Sequence, residues 1–233
     1  MSSQTYVVAT VRPWNIARFH ALRPALGSQW HLISDPAELT MERLAAIAPR
    51  YVFFPHWSTR VPSTIVGAYE CVCFHETDVP YGRGGSPLQN LIARGHTETV
   101  VTALRMVEEL DAGPVYGRRP LSLHGLAEEI YVRTAGIVFD MAIDIAAREP
   151  QAAPQVGEAT VFKRRTPSES VVDPATPGLA PLFDHLRMLD AEGYPPAFID
   201  HGRFRLEFSR PALRTNRIEA TVSIVERPEG EGR

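Results

Sequence analysis

The sequence predicts an α/β protein with a doubly wound, mostly parallel sheet and helices on both of its faces. Three observations carry this. Short apolar runs recur at 5–11 (TYVVATV), 30–34 (WHLIS), 51–57 (YVFFPHW) and 71–74 (CVCF). Between them lie segments with apolar residues at helical spacing, such as Trp14, Ile16, Phe19 and Leu22, or Leu39, Leu44 and Ile47. The runs themselves are apolar without strict alternation, as in strands covered on both sides.

The elements follow in order. Strand 5–11 leads into a helix through RPWNIARFHAL, and strand 30–34 into a helix over 37–49 that stops before Pro49. Strands 51–57 and 71–74 come next. SPLQNLIARG (86–95) reads as a helix with Pro87 in its first turn and Gly95 at its end. A strand over 99–107 is followed by a turn and a short strand in EELDAGPVY (108–116). Gly125 then opens the longest helix, 127–149, with Ile130, Ile137, Met141 and Ile145 on one stripe. Residues 150–180 are rich in Pro and polar residues, which predicts a linker over 151–178 with one short strand near 159–163. A helix over 179–195 is followed by a hairpin turning at His201-Gly202 and a last strand over 217–225. The expected organisation is a core domain at 1–150, the linker, and a small helix-plus-strands subdomain at 179–226. The tail, 227–233, is expected to be disordered.

Composition narrows the function classes. The 233 residues are 44% hydrophobic and 22% charged, ordinary values for a globular chain. A net charge of −3 argues against nucleic acid or an anionic membrane as partner. No run approaches the roughly 18 apolar residues of a membrane span, and the N-terminus lacks a signal-peptide pattern, so a cytoplasmic protein is expected. Cys71 and Cys73 stand at i and i+2, poorly placed for a disulfide. The chain has no G-x-G-x-x-G after its first strand, no Walker loop, no C-x-x-C and no H-E-x-x-H. Dinucleotide, nucleoside-triphosphate and zinc chemistry are therefore not expected, and no metal is expected.

The chemistry concentrates in FHETDVPYGRGGSPLQNL, residues 74–91. In parallel sheets ligands bind beyond the carboxyl ends of the strands, and His75 closes the run CVCF at such an end. Asp111, in ELDAGP, follows a later strand. A His with a carboxylate partner is a candidate general base near neutral pH. The plainer alternatives are a loop histidine, turn chemistry in LDAG, and a solvated turn at Arg83.

The stretch from Phe74 through Asp111 to Tyr116 resembles the core of the 10-formyltetrahydrofolate-dependent formyltransferases. That family's pattern is roughly Asn-x-His-x-Ser-Leu-Leu-Pro, Arg-Gly, Pro, a helix, Gly, a Thr-bearing strand and Asp-x-Gly. Order and spacing agree over about 45 residues. The resemblance implies a Rossmann-like formyltransferase sheet with a small C-terminal α+β appendage, and 10-formyltetrahydrofolate as co-substrate. Residue by residue, it implies His75 as the catalytic base and Asp111 as the residue that orients and charges it. Thr77 takes the place of the family Ser, Pro80 matches the Pro, and Arg83-Gly84 the Arg-Gly. Thr77, Tyr81, Arg83, Gly84 and Gly85 are then expected on the acceptor side. The co-substrate is expected between the segment bearing Trp57, Arg60, Val61 and Pro62 and the loop Glu108, Glu109, Leu110 and Asp111.

One departure stands out. The family Asn falls at Cys73, and a thiol is a weak hydrogen-bond donor where the Asn amide serves the oxyanion. Three readings remain open. Another donor replaces the amide, such as protonated His75, Thr77 or water; Cys73 itself contributes; or the transferase is slow or altered.

The acceptor expectation comes from the C-terminal part. LRMLDAEGYPPAF (186–198) resembles small-metabolite formyltransferases, and the segment after the linker is short beside the basic barrel of the tRNA-directed members. The expected acceptor is therefore a small-molecule amine, foremost a nucleotide-linked amino sugar. The alternatives are a hydroxylamine such as N-hydroxyornithine, or a folate- or metabolite-binding homologue with altered catalysis. A homodimer through the C-terminal strands is also expected to be feasible.

Overall fold

The computed structural model describes residues 4–227. Its strands are β1 (Thr5–Ala9), β2 (Trp30–Ile33), β3 (Pro49–Phe54), β4 (Cys71–His75), β5 (Arg83–Gly84), β6 (Glu98–Arg105), β7 (Val115–Ser122), β8 (Val161–Phe162), β9 (Ala197–His201), β10 (Phe204–Leu213) and β11 (Ile218–Glu226). Its helices are α1 (Pro13–Leu26), α2 (Met41–Ile47), α3 (Ser63–Ala68), α4 (Pro87–Ala93), α5 (Ala127–Arg148) and α6 (Leu179–Arg187).

The chain divides into two compact units. The first comprises residues 4–84, 99–121 and 131–162. It holds most of a six-stranded sheet of order β2-β1-β3-β4-β6-β7. β1, β2, β3 and β4 pair in parallel, and β6 runs antiparallel to β4. The strand order reverses at β1, so its carboxyl end and that of β3 border a switch point, the usual place for ligands in such sheets.

Alternation along the strands sends side chains to two separate cores. Val7, Ala9, Ile33, Val52, Phe54 and Cys71 pack with Leu44 of α2 and Ile65 of α3. Val8, Phe53 and Phe74 point the other way, toward Val138, Phe139 and Ala142 of α5. Phe19 of α1 completes that side against Phe139. Along β4, Cys71, Cys73 and His75 therefore share one face, while Val72 and Phe74 lie on the other.

The second unit comprises residues 85–98, 122–130 and 163–227. Within it α4 meets the end of α6, where Gln89 Nε2 donates to Met188 O at 3.1 Å. Arg187 is buried, and its guanidinium donates to the carbonyls of Leu123 at 2.6 Å and Gly125 at 2.9 Å. β9, β10 and β11 form an antiparallel sheet. Phe204 pairs with His201 across Gly202 and Arg203, so the hairpin falls at the expected His-Gly.

Several boundaries differ from the sequence reading. The helix expected over 37–49 begins only at Met41, because the Thr40 hydroxyl accepts from Arg43 N and caps it there; Pro36–Glu38 is a separate 3₁₀ turn. Pro49 opens β3 instead of following a helix, and β3 stops at Phe54, since His56 takes a left-handed φ of 49°. The helix α3 was not foreseen; six residues are too few to show a period. β7 is longer than the short strand expected. α6 ends at Arg187, well before the expected 195. The tail expected to be disordered lies outside the described residues apart from Arg227, whose N donates to Arg203 O at 3.0 Å.

Candidate active site

His75 is the last residue of β4 and is buried at 7% exposure. Its Nε2 lies 2.8 Å from Gly82 O. A carbonyl only accepts, so Nε2 carries the proton in the neutral ring, and Nδ1 is left as the basic nitrogen. The turn that brings Gly82 back needs glycine there: its φ is 75°, and a Cβ would sit 2.7 Å from the Phe162 ring and 2.8 Å from Thr77. The Thr77 hydroxyl donates to the same carbonyl at 3.3 Å, and Thr102 Oγ1 ties Thr77 O to β6 at 2.7 Å.

Nδ1 faces Asp111 Oδ2 at 3.7 Å, beyond a hydrogen bond but close enough for charge to matter. A neutral Nδ1 presents a lone pair to a carboxylate, which holds the two apart. Protonation of Nδ1 turns that contact into an attractive, charge-assisted one. The same Oδ2 accepts from Gly84 N at 2.9 Å, so the glycine turn and the Asp loop lock together. Asp111 has φ of 54°, a left-handed conformation that Asp tolerates better than most residues. Two residues on, a Cβ at Gly113 would come within 1.7 Å of Arg105 O, so only glycine lets this loop lie against the end of β6. The Asp-x-Gly spacing thus has a steric cause.

Arg83 holds the loop from the other side. Its guanidinium donates to Gln155 Oε1 at 3.1 and 2.9 Å and pairs with Glu109 at 3.1 Å. Gln155 Nε2 in turn donates to Asp111 O at 2.7 Å and Gly113 O at 2.9 Å. Arg83, expected on the acceptor side, is therefore engaged in bracing the 108–113 loop. Gln155 was missed because its stretch looks like linker; nothing local in EPQAAPQVG marks it.

The remaining expected residues are distributed as follows. Cys73 lies on the His75 face, and its thiol approaches Leu104 O at 3.8 Å. Burial first, and Asp111 second, push its pKa well up, so it stays a thiol and makes a poor nucleophile. Cys71 is free and likewise pushed up, to about 12, by burial. Val61 is buried in the α2/α3 core, Trp57 packs edge-on to Phe54, Pro62 precedes α3, and Arg60 is exposed. Val61, Trp57 and Met106 belong to one apolar cluster, so the two segments expected to flank the co-substrate emerge from a common base. Glu108, Glu109 and Leu110 are exposed, Leu110 at 69%. Tyr81 packs edge-on to Phe162. Gly85, in the second unit, lies against the backbone of Arg164, where a Cβ would be 2.6 Å from its Cα.

A second polar cluster was not foreseen. His56, just past β3, pairs through Nε2 with the carboxylate of Glu76, the residue after His75. Asn15 and Trp14 of α1 approach its Nδ1 at 3.1 and 3.4 Å. The available signals were a His interrupting the apolar run YVFFPHW and an acid directly after the candidate base.

The chain is similar to known proteins in sequence and in fold. The family model described as "Methionyl-tRNA formyltransferase, C-terminal domain" matches residues 167–225. Methionyl-tRNA formyltransferase of Methylococcus capsulatus is 32% identical over 108 residues, 45% of this chain and 35% of that protein. The chain spans less than half the length of the curated relatives it matches. A solved sugar N-formyltransferase from Shewanella shares the fold, with a TM-score of 0.68 at 16% identity, over 91% of this chain and 99% of that one. The solved methionyl-tRNA formyltransferase from Clostridium thermocellum has a TM-score of 0.93 and 42% identity, covering 96% of this chain and 100% of that one. With that identity across nearly its whole length, the chain belongs to the 10-formyltetrahydrofolate-dependent formyltransferase family.

Proposed function

We propose that the protein transfers the formyl group of 10-formyltetrahydrofolate to the amine of a small metabolite, foremost a nucleotide-linked amino sugar. The observation that carries the transfer is the His75 geometry: Nε2 pinned to a carbonyl, Nδ1 facing Asp111. The co-substrate lies between segment 55–62 and loop 108–113, whose exposed Leu110 offers apolar surface to a flat ring. The neutral amine attacks the formyl carbon. His75 Nδ1 takes the proton from that nitrogen, and Asp111 stabilises the imidazolium. As the bond from the formyl carbon to N10 breaks, His75 returns a proton to N10, leaving a formamide and tetrahydrofolate. The imidazolium Nδ1–H is the donor we assign to the oxyanion in place of an amide at position 73, since Thr77 is buried and bonded to Gly82 O.

A net charge of −3 supports a small acceptor over tRNA. The second reading, methionyl-tRNA, is favoured by the C-terminal family match at 167–225. Incubation with 10-formyltetrahydrofolate and either nucleotide-linked 4-amino sugars or methionyl-tRNA, read by mass spectrometry of the acceptor, decides between them. Formylated sugar is expected. Formylation of methionyl-tRNA alone would replace the small-acceptor reading, and formylation of neither, with donor intact, would remove the transferase.

A further inference from the structure

The outer edge of the six-stranded sheet carries a groove that formyl transfer does not use. β2 is the end strand and pairs with β1, so its other side is open among the described residues. α1 borders that side on one face of the sheet and α2 on the other, around a cavity of about 270 Å³. Its floor is Phe19 of α1 and Trp30 of β2, both buried, with Trp30 stacked on Phe53. Its rim is four basic side chains: His20 and Arg23 of α1, His31 of β2 and Arg43 of α2. No carboxylate lines it.

The charge of this rim is not neutralised from within. Among the described residues neither Arg23 nor Arg43 forms an ion pair. Arg23 donates to Trp30 O, and its guanidinium lies 5.8 Å from the centre of the Phe19 ring. Arg23 thus shields one carbonyl of the open edge, a common use of a cation at a sheet edge. Arg43 has no such task. The Thr40 hydroxyl accepts from its backbone N, and its guanidinium has no hydrogen bond among the described residues. Asp35, the acid nearest β2 in sequence, accepts from Ala37 N at 2.8 Å. Burial first, then Arg23 and then Arg43, hold the pKa of His31 below its ordinary value, as expected where cations converge without a counter-charge.

We propose that this groove is a second ligand site, separate from His75, for a small phosphate ester, with the phosphate between Arg23 and Arg43 and a flat apolar group over Phe19 and Trp30. A phosphate suits the rim because the N–H groups of a guanidinium form a fork that meets two of its oxygens. A bare phosphate leaves the aromatic floor uncovered, whereas a flat group on the ester oxygen covers it. β2 lies three strands from β4, about 14 Å at the usual strand spacing, and His75 is at the far end of β4. An ester held at β2 therefore does not reach His75, and the inference stands independently of formyl transfer.

The test titrates the full chain at low salt with phenyl phosphate and, separately, with inorganic phosphate, following the histidine rings by NMR and binding by calorimetry. Saturable shifts of His31 and His20 with His75 unmoved are expected, at a Kd below about 1 mM. Phenyl phosphate should bind at least about fivefold more tightly than inorganic phosphate; equal affinity would overturn the assignment of the floor to an ester group. Arg43→Ala, an exposed change that leaves the Thr40 cap in place, should weaken binding by at least about tenfold, and Arg43→Glu should remove it. An unshifted His31 in the parent, or Arg43→Ala binding as tightly as the parent, would overturn the site and leave the four cations as cover for the sheet edge. Shifts at His75 alone would place the ester in the formyl-transfer site and overturn it equally.

Discussion

Two histidines flank the end of the same strand pair and differ in how completely they are bonded. His56 is engaged at both nitrogens, by Glu76 on one side and by Asn15 and Trp14 on the other. His75 is fixed only at Nε2, and its Nδ1 stands 3.7 Å from Asp111 without a hydrogen bond. The comparison teaches that the nitrogen left open, not burial or nearness to an acid, is what distinguishes His75, the base we propose, from the fully bonded His56. Both rings are largely buried and both face a carboxylate, yet only His75 has a ring nitrogen without a hydrogen bond.

The largest effect that would break this contrast is at Asp111. Asp111→Asn keeps the bond from Gly84 N but removes the charge facing Nδ1; transfer should fall by about 10²–10⁴, read as kcat, with little change in thermal stability. Arg83→Ala comes next. It releases the 108–113 loop from Gln155 and Glu109, and a misplaced Asp111 should cost about tenfold to a hundredfold in kcat/KM. Cys73→Asn places an amide donor on the face of His75; with the imidazolium already serving the oxyanion, kcat is expected to stay within about threefold of the parent, and a rise of about tenfold or more would show that the site lacks a donor. His56→Ala reverses the pattern. It strips Glu76 of its partner and should cost about 2 kcal/mol in chemical denaturation.

The smallest effect sharpens the same comparison through pH. The folded state holds Glu76 below its ordinary range, so the unfolded chain binds that proton more readily. Its contribution to stability is complete above the unfolded carboxyl value and is lost as pH falls through the folded one. Melting curves on the acid side should therefore show the parent losing stability faster than Glu76→Gln.

Much of this was legible in the sequence, for physical reasons. Val7, Val8 and Ala9 of β1 and Cys71, Val72 and Phe74 of β4 are buried on both faces of the sheet, so the runs are mostly apolar without alternation and β1 and β4 were easy to read. Gly82, Asp111 and Gly113 lie in tight turns whose spacing is fixed by sterics, and tight turns leave a local mark. What was not legible depends on contacts distant in sequence. Gln155 braces a loop 42 to 44 residues away from within a Pro-rich stretch. Arg83 was read from its visible turn, while its bracing partners Gln155 and Glu109, distant in sequence, were not legible. Glu76 and His56 are 20 residues apart, on neighbouring strand ends; each stands out within its own stretch, but nothing local shows that the two meet.

The central claim is that His75 moves the proton in formyl transfer and does not merely shape the pocket. His75→Ala, compared with the parent for binding of 5-formyltetrahydrofolate by calorimetry and for formamide formation from 10-formyltetrahydrofolate in a single turnover, tests it most directly. The account predicts affinity within about threefold of the parent and transfer slower by at least about 10². Transfer at the parent's rate in a variant that binds the folate equally well would contradict it.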